Sequence, residues 1–523
     1  MPMIRHRRAL ALVGAAATAA LVLSACGSST TPPAASNTPA PSTAAPTSDS
    51  SSSASPSSSE SSTSETSGSE TSSSETSSSE TSGSEPSSSK PSGSESGSSS
   101  GAAPVESDDA TWCDTAKSFG DIKGKSVSVY SSIVGAEQTG LQKSWADFTD
   151  CTGATVAYTG DKNFEKQVVQ KAQAGNPSDI AFVPQPGLLA SLVATGKVVA
   201  PPSQVVDNVT KYWDAGWKVN GSVKDTFYAA PLGANIKSLV WYSPKMFAAK
   251  GYTVPTTWDD MVALSDKIAA DADGVKPWCA GVESGNATGW TATDWLEEVV
   301  LRNNGPDVYD QWVKHDVKFA DPMIADSLAK VGAIWKNEKY VNAGIGDVSS
   351  IATTNFADAG FPIQSQQCYM MQQASFYASN WKDNPDISEN GDIYAFYLPT
   401  MSDKFGTPVE VGGEFTAAFA SRPEVQAFQY YLSTAHWANN QSKAIASRVS
   451  ANKGLDVANV QGAINKLSVS ILQDPAAVSR FDASDLMPAA VGSGAEWQAL
   501  TAWLTGTEDA DTLAAIDGAW PTS

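Results

Sequence analysis

Histidine is almost absent from this chain, which removes most metal and nucleophile–base chemistry before any fold is considered. Beyond His6 only His315 and His436 occur, there is no C-x-x-C pair, and the ligand spacing of a tetrahedral zinc site is missing. A serine nucleophile would need one of those two histidines as its base. Gly97-Ser98-Ser99-Ser100-Gly101 has the G-x-S-x-G pattern, yet its Ser- and Gly-rich flanks offer no strand, turn and helix to present the hydroxyl. Asp386-Ile387-Ser388-Glu389-Asn390-Gly391 begins like a calcium loop, but Tyr397 stands at the twelfth position, where a bidentate acid belongs. A polar turn before an apolar strand, Ile393 to Leu398, is expected instead. The chain has no G-x-x-x-x-G-K-[ST] phosphate loop, and neither a metal nor a cofactor is expected. What remains in quantity is carboxylates, amides and aromatic rings. Such groups in a cleft can bind a hydroxylated ring, and a suitably spaced carboxylate pair could also hydrolyse a glycosidic bond.

The elements that must position these residues begin after a long preamble. Arg5, Arg7 and Arg8 precede an apolar run from Ala9 to Leu23, which has the length of a signal peptide and is too short for a permanent span. The run ends in Leu23-Ser24-Ala25-Cys26-Gly27, which resembles the bacterial lipobox. Residues 1–25 are therefore expected to be removed and Cys26 to carry a lipid that holds the chain on the outer face of the cytoplasmic membrane. From 26 to 107 the sequence is Ser, Thr, Pro, Gly and Glu, with glutamates at 60, 65, 70, 75, 80, 85 and 95. A stretch so poor in large apolar side chains cannot offset its chain entropy, so a disordered, self-repelling linker is expected. Of the net charge of −22, about −17 falls after this linker once three signal arginines and the linker's nine acids and one lysine are set aside. A field of that sign repels nucleic acid and anionic lipid.

Four cysteines remain after Cys26: Cys113, Cys151, Cys279 and Cys368, in a compartment where disulfides persist. Three pairings are possible. Cys113 with Cys151 and Cys279 with Cys368 keeps each bridge within one stretch of chain and is the pairing expected, each worth about 4 kcal/mol by loop entropy.

The region from 108 to 523 alternates strand and helix: strands near Ser126–Ser131, Ala154–Tyr158 and Asp179–Val183, helices near Ala136–Asp150, Lys162–Ala174 and Gly187–Thr195. Alternation of this kind implies an α/β fold with a mainly parallel sheet, whose ligands bind at the carboxyl ends of its strands. The loops Ser131-Ser132-Ile133, Thr159-Gly160-Asp161 and Pro184-Gln185-Pro186 should therefore share a rim.

Gly175-Asn-Pro-Ser-Asp179-Ile, then Gly187-Leu-Leu and Gly196-Lys-Val, resembles a segment of the family 1 extracellular solute-binding proteins of ABC transporters. Ala230-Pro231 through Trp241-Tyr242 is similar to their first inter-lobe crossover, and Pro255-Thr-Thr-Trp-Asp-Asp260 follows as it does there. Tyr369 to Phe376, Tyr397-Leu-Pro399, Val411-Gly-Gly-Glu414 and Arg422-Pro-Glu424 continue the family order, while Arg480 to Pro488 resembles the α-glucoside-binding branch. Two departures are Glu414, where that branch usually shows a second Gly and an Asp in its G-G-G-D loop, and the disulfide cysteines, which are not a family-wide feature.

The resemblance implies a two-lobed type II periplasmic-binding fold, with lobe 1 about 108–235 and 399–440 and lobe 2 about 236–398 plus part of the C-terminal region. Crossovers near Asn235 and Pro399 would act as hinges. It also implies a monomeric receptor, not an enzyme, that takes a neutral carbohydrate to a membrane permease. A sugar has hydroxyl edges and C–H faces, so Asp161, Gln185, Asn235, Asp294, Gln373 and Glu414 are candidate polar contacts, and Trp290, Trp295 and Phe376 candidate plates. Gln373 is preferred to Gln372, because neighbours on a strand face opposite ways. Asp485 reads as a cap or turn residue. The rival expectations are a secreted glycosidase, a receptor for a non-sugar solute and a surface adhesin.

Overall fold

The computed structural model describes residues 108–271 and 274–522. Cys26, the expected signal peptide, the linker and the Gly97–Gly101 string lie outside these residues.

The first strand, Ser126–Ser131, is the β-branched run Ser-Val-Ser-Val-Tyr-Ser, and it buries Val127 and Val129. It pairs in parallel with Thr155–Gly160 on one side and Ile180–Val183 on the other. Two further strands, Phe415–Ala418 and Ala229–Pro231, extend this sheet to five, and both run antiparallel to their neighbours. Only the part read from the early alternation is parallel, because the last two strands arrive from crossovers and not from β-α-β units. The expected helix 136–150 is broken into Gly135–Lys143 and Ala146–Thr152. At the break Trp145 turns inward and meets Phe428 edge-on, with ring centroids 5.6 Å apart.

The second lobe carries a four-stranded sheet in the order Tyr394–Tyr397, Leu239–Tyr242, Cys368–Gln372, Lys276–Trp278, and only the last pairing is parallel. Its core is built on tryptophan. Trp295 lies 1% exposed among Trp258, Trp278 and Trp335, each within 6.4 Å centroid to centroid. The C-terminal helices Trp497–Leu504 and Asp509–Gly518 pack on the same lobe through Leu500, Trp503, Leu513 and Ile516.

Between the two sheets stands a third, in the order Ala477–Phe481, Thr407–Gly412, Asn235–Ile236. Its strands belong to the segments that pass from lobe to lobe. The crossovers near Asn235 and Pro399 are joined by a third, through Ala477–Phe481, that sequence reading did not single out. Both disulfides form as paired above: Cys113–Cys151 fastens two helices of lobe 1, and Cys279–Cys368 lies in lobe 2. The Asp386–Gly391 string is a turn, with the backbone N–H groups of Asp392 and Ile393 donating to the Asp386 carbonyl. Among the described residues no helix is long and apolar enough to cross a membrane.

Candidate functional site: the cleft between the lobes

A cleft of about 190 Å³ opens where strand ends of lobe 1, helix starts of lobe 2 and the crossovers meet. From lobe 1 come Ser132, Ile133 and Val134, which follow the first strand, and Pro184 and Gln185, which follow the third. Pro186 at the first helical position starts Pro186–Ala194 immediately after Gln185, and its fixed φ stops the strand there. Gln185 is thus carried at a helix start on the rim that strand–helix alternation implied, and it is 5% exposed.

Lobe 2 presents an aromatic wall. Trp290 meets Phe356 at 5.1 Å and 71°, and Phe376 at 6.0 Å and 41°. All three rings are half-buried, unlike the core tryptophans behind them. Trp290 opens the long helix Trp290–Asn304. Gly289 makes that start possible: its φ is +114°, and a Cβ there would stand 2.3 Å from the Trp497 carbonyl. On the opposite side Gly413 lies so close to the Gly233 carbonyl, 2.2 Å from where a Cβ would be, that no side chain fits beside Glu414.

Charge is arranged in two buried groups. Arg448, 2% exposed, holds both Glu137 and Glu414, with Nη1 donating to Glu414 Oε1 at 3.2 Å. The guanidinium opposes the effect of burial on Glu137, although burial wins and the carboxyl is raised. The second group lies at the crossovers. Lys237 Nζ donates to Asp294 at 2.7 Å and to Asp482, and stands 3.9 Å from Glu410. It is also 5.6 Å from the centre of the Trp290 ring. Burial would strip Lys237 of its proton, but the surrounding carboxylates override it and hold it charged. Asp482 is correspondingly held low by Lys237 against its own burial. Glu410, Glu297, Glu496 and Asp485 are raised well above the ordinary carboxylate range by burial, with neighbouring acids adding to it. Asp294, Glu410 and Asp482 have the proximity of a metal-ligand set, but the Lys237 ammonium already lies against all three.

Of the residues singled out from sequence, Gln185, Asn235, Trp290, Phe376 and Glu414 line the cleft together. Asp161 does not reach it; its carboxylate accepts from Tyr130 Oη and the Asn163 amide, both at 2.8 Å, while the adjacent Lys162 does line it. Asp294 lies beneath, in the Lys237 cluster, and Trp295 lies in the lobe 2 core. Gln373 is 3% exposed and accepts from the Ala374 amide, and Gln372 donates to the Lys237 carbonyl, so both side chains are engaged by backbone groups and neither lines the cleft. Asp485, read as a cap, lines the cleft, as do Lys237, Glu165, Phe356 and Trp497. A lysine inside the apolar crossover Asn235–Tyr242 was a readable signal for Lys237; Phe356 and Trp497 carry none in their local sequence.

Residues 134–447 match the profile of the family described as bacterial extracellular solute-binding protein. The chain is 34% identical over 407 residues to the osmoprotective compounds-binding protein GgtB of Synechocystis sp., a match covering 77% of this chain and 94% of that one. It is 34% identical over 413 residues to the alpha-glucosides-binding periplasmic protein AglE of Rhizobium meliloti, covering 76% and 88%. Its fold is similar to that of the bacterial solute receptor AcbH, with a TM-score of 0.64 at 19% identity over 76% of this chain and 97% of that one. It is likewise similar to maltose-bound MalE3 of T. maritima, with a TM-score of 0.60 at 16% identity over 76% and 98%.

Proposed function

The chain belongs to the bacterial extracellular solute-binding protein family, and from that premise we propose that it captures a neutral carbohydrate, an α-glucoside or related oligosaccharide, and delivers it to the membrane permease of an ABC importer. The observation that carries this reading is the pairing of a half-buried aromatic wall, Trp290, Phe356 and Phe376, with a polar wall containing Gln185, Asn235 and Glu414 across one cleft. A pyranose ring has apolar C–H faces for the first and a hydroxyl edge for the second. Asp294 then serves from behind the contact surface by holding Lys237, while Asp161, Gln373 and Trp295 stay outside that surface. Contact with both lobes favours the closed state by the ligand's differential affinity for it. The protein works as a monomer, by capture and release without chemical conversion of the solute. Cys26 anchors it to the membrane, and the Ser- and Glu-rich stretch spaces the receptor from that anchor.

The test is a ligand panel read by thermal unfolding. At a hundredfold excess over Kd a bound sugar stabilises the folded state by about 2.7 kcal/mol, a visible shift. Maltose, trehalose, sucrose and longer α-glucosides that all leave the melting curve in place, while an amino acid or peptide moves it, would show the solute class to be wrong.

A further inference from the structure

Four polar side-chain atoms of cleft-lining residues find no hydrogen-bond partner within the described protein: Glu165 Oε2, Gln185 Oε1, Asn235 Oδ1 and the indole nitrogen of Trp497. Three of the four are acceptors. Glu165 sits in the first turn of the helix Phe164–Gln173, which packs on the helix that Gln185 starts, so two of the acceptors are neighbours. A buried acceptor without a donor is costly, and what enters the cleft must supply the donors.

Resting on the receptor reading above, we infer that Glu165, with Gln185 beside it, is the specificity-determining residue of the cleft: it accepts hydrogen bonds from hydroxyls at the inner end of the captured sugar and excludes sugars that carry a carboxylate or phosphate there. A hydroxyl completes the free Oε2. An anionic group brings no donor and sets its charge against the Glu165 carboxylate and against Asp482, which lines the same space, while the Lys237 ammonium beside them is already engaged by Asp294 and Asp482.

The groups facing Glu165 are Asp161 from the preceding loop, Tyr130 from the sheet, Asp485 from the segment Ala483–Leu486, and Lys162 on the cleft rim. Burial pushes the Glu165 carboxyl up to about 7, and Asp161 adds to this, while its own backbone amide and Gln185 pull it down. The carboxylate is therefore present at pH 8 and largely protonated at pH 6. A hydroxyl bonds the charged form more strongly, so affinity should fall about tenfold as the pH is lowered through that interval.

The experiment is calorimetric titration of the whole receptor with maltose, trehalose and sucrose, and with a glucuronosyl-glucose disaccharide, at pH 8 and pH 6. For whichever neutral sugar binds, Glu165→Gln should weaken binding about tenfold at pH 8 and flatten the pH dependence. The same change should raise affinity for the glucuronosyl disaccharide. Glu165→Asp, which keeps the charge with a shorter reach, should retain the pH dependence at reduced affinity, and it stands as the control should the Gln variant fold poorly. A neutral sugar bound with unchanged affinity and slope in both variants overturns the inference and leaves the receptor reading intact. Failure of all the sugars, with a shift produced by an amino acid or peptide, overturns both.

Discussion

Trp290 and Trp295 stand five residues apart in the same helix, and their surroundings differ sharply. Trp295 is closed in by three other indoles, whereas Trp290 is half-buried and shows a face to the cleft beside Phe356 and Phe376. Trp295→Ala should therefore cost about 3–5 kcal/mol of unfolding free energy, the usual penalty for emptying a core site of that size. Trp290→Ala should cost only the aromatic pairing, about 0.5–1.5 kcal/mol, while removing most of the sugar-induced shift in melting temperature and in tryptophan fluorescence. Denaturant unfolding and ligand titration of the two variants separate these effects. A Trp290 variant that binds sugar normally would remove this ring from the site.

At the scale of elements, the three crossovers are bound together by charge as well as by backbone pairing. Lys237 comes from the first, Glu410 from the second and Asp482 from the third, while Asp294 adds a lobe 2 helix. Arg302 secures the second crossover separately, through the carbonyls of Leu398, Pro399 and Pro408. Replacing Lys237 by Met leaves Asp482 as a buried carboxylate without its cation, and removal of one partner of such a pair costs about 3–5 kcal/mol at pH 7. The sign of its pH dependence follows from Asp482, which Lys237 holds low and hence ionised in the folded protein. Without the ammonium the Asp482 carboxyl rises and takes up a proton in mild acid, so the stability difference between variant and parent should shrink between pH 7.5 and pH 5. Thermal unfolding at the two values measures it. An equal loss at both would show that the Lys237 stem, and not its charge, is what the crossovers need.

At the scale of the whole molecule, the two lobes and the proposed anchor make separable predictions. Residues 108–522 hold two disulfides, one in each lobe, together with the sheet of each lobe and the sheet of the crossovers. The proposed attachment through a lipid on Cys26 can be tested apart from the binding reading. Cys26→Ala should leave an uncleaved precursor and abolish acylation, as read by mass spectrometry of the N-terminus, while sugar binding by the folded region is unchanged. A normally processed, unacylated product from both forms would remove the anchor from the account.

Local chemistry was enough to determine several features from sequence alone. The β-branched run at Ser126–Ser131 and Pro186 after a buried strand fix a strand and a helix start through φ/ψ preferences of neighbouring residues. Those boundaries carry Gln185 to the cleft, whereas the start of the long helix at Trp290, behind Gly289, was visible only in the structure. The four cysteines paired along the chain as their separations favoured. Facing and depth were decided only by tertiary packing. Asp294 and Trp295 share the helix of Trp290 but point beneath and behind the cleft, because that helix is buried on nearly all sides. Gln373 turned its amide to its own backbone. Phe356, Trp497 and Asp485 reached the site from segments distant in sequence, where no local pattern distinguishes a residue turned toward solvent from one turned toward the other lobe. Which wall of a cleft a side chain joins depends on how two separately folded sheets are hung on their crossovers, and that is a property of long-range contacts that no short window of sequence contains.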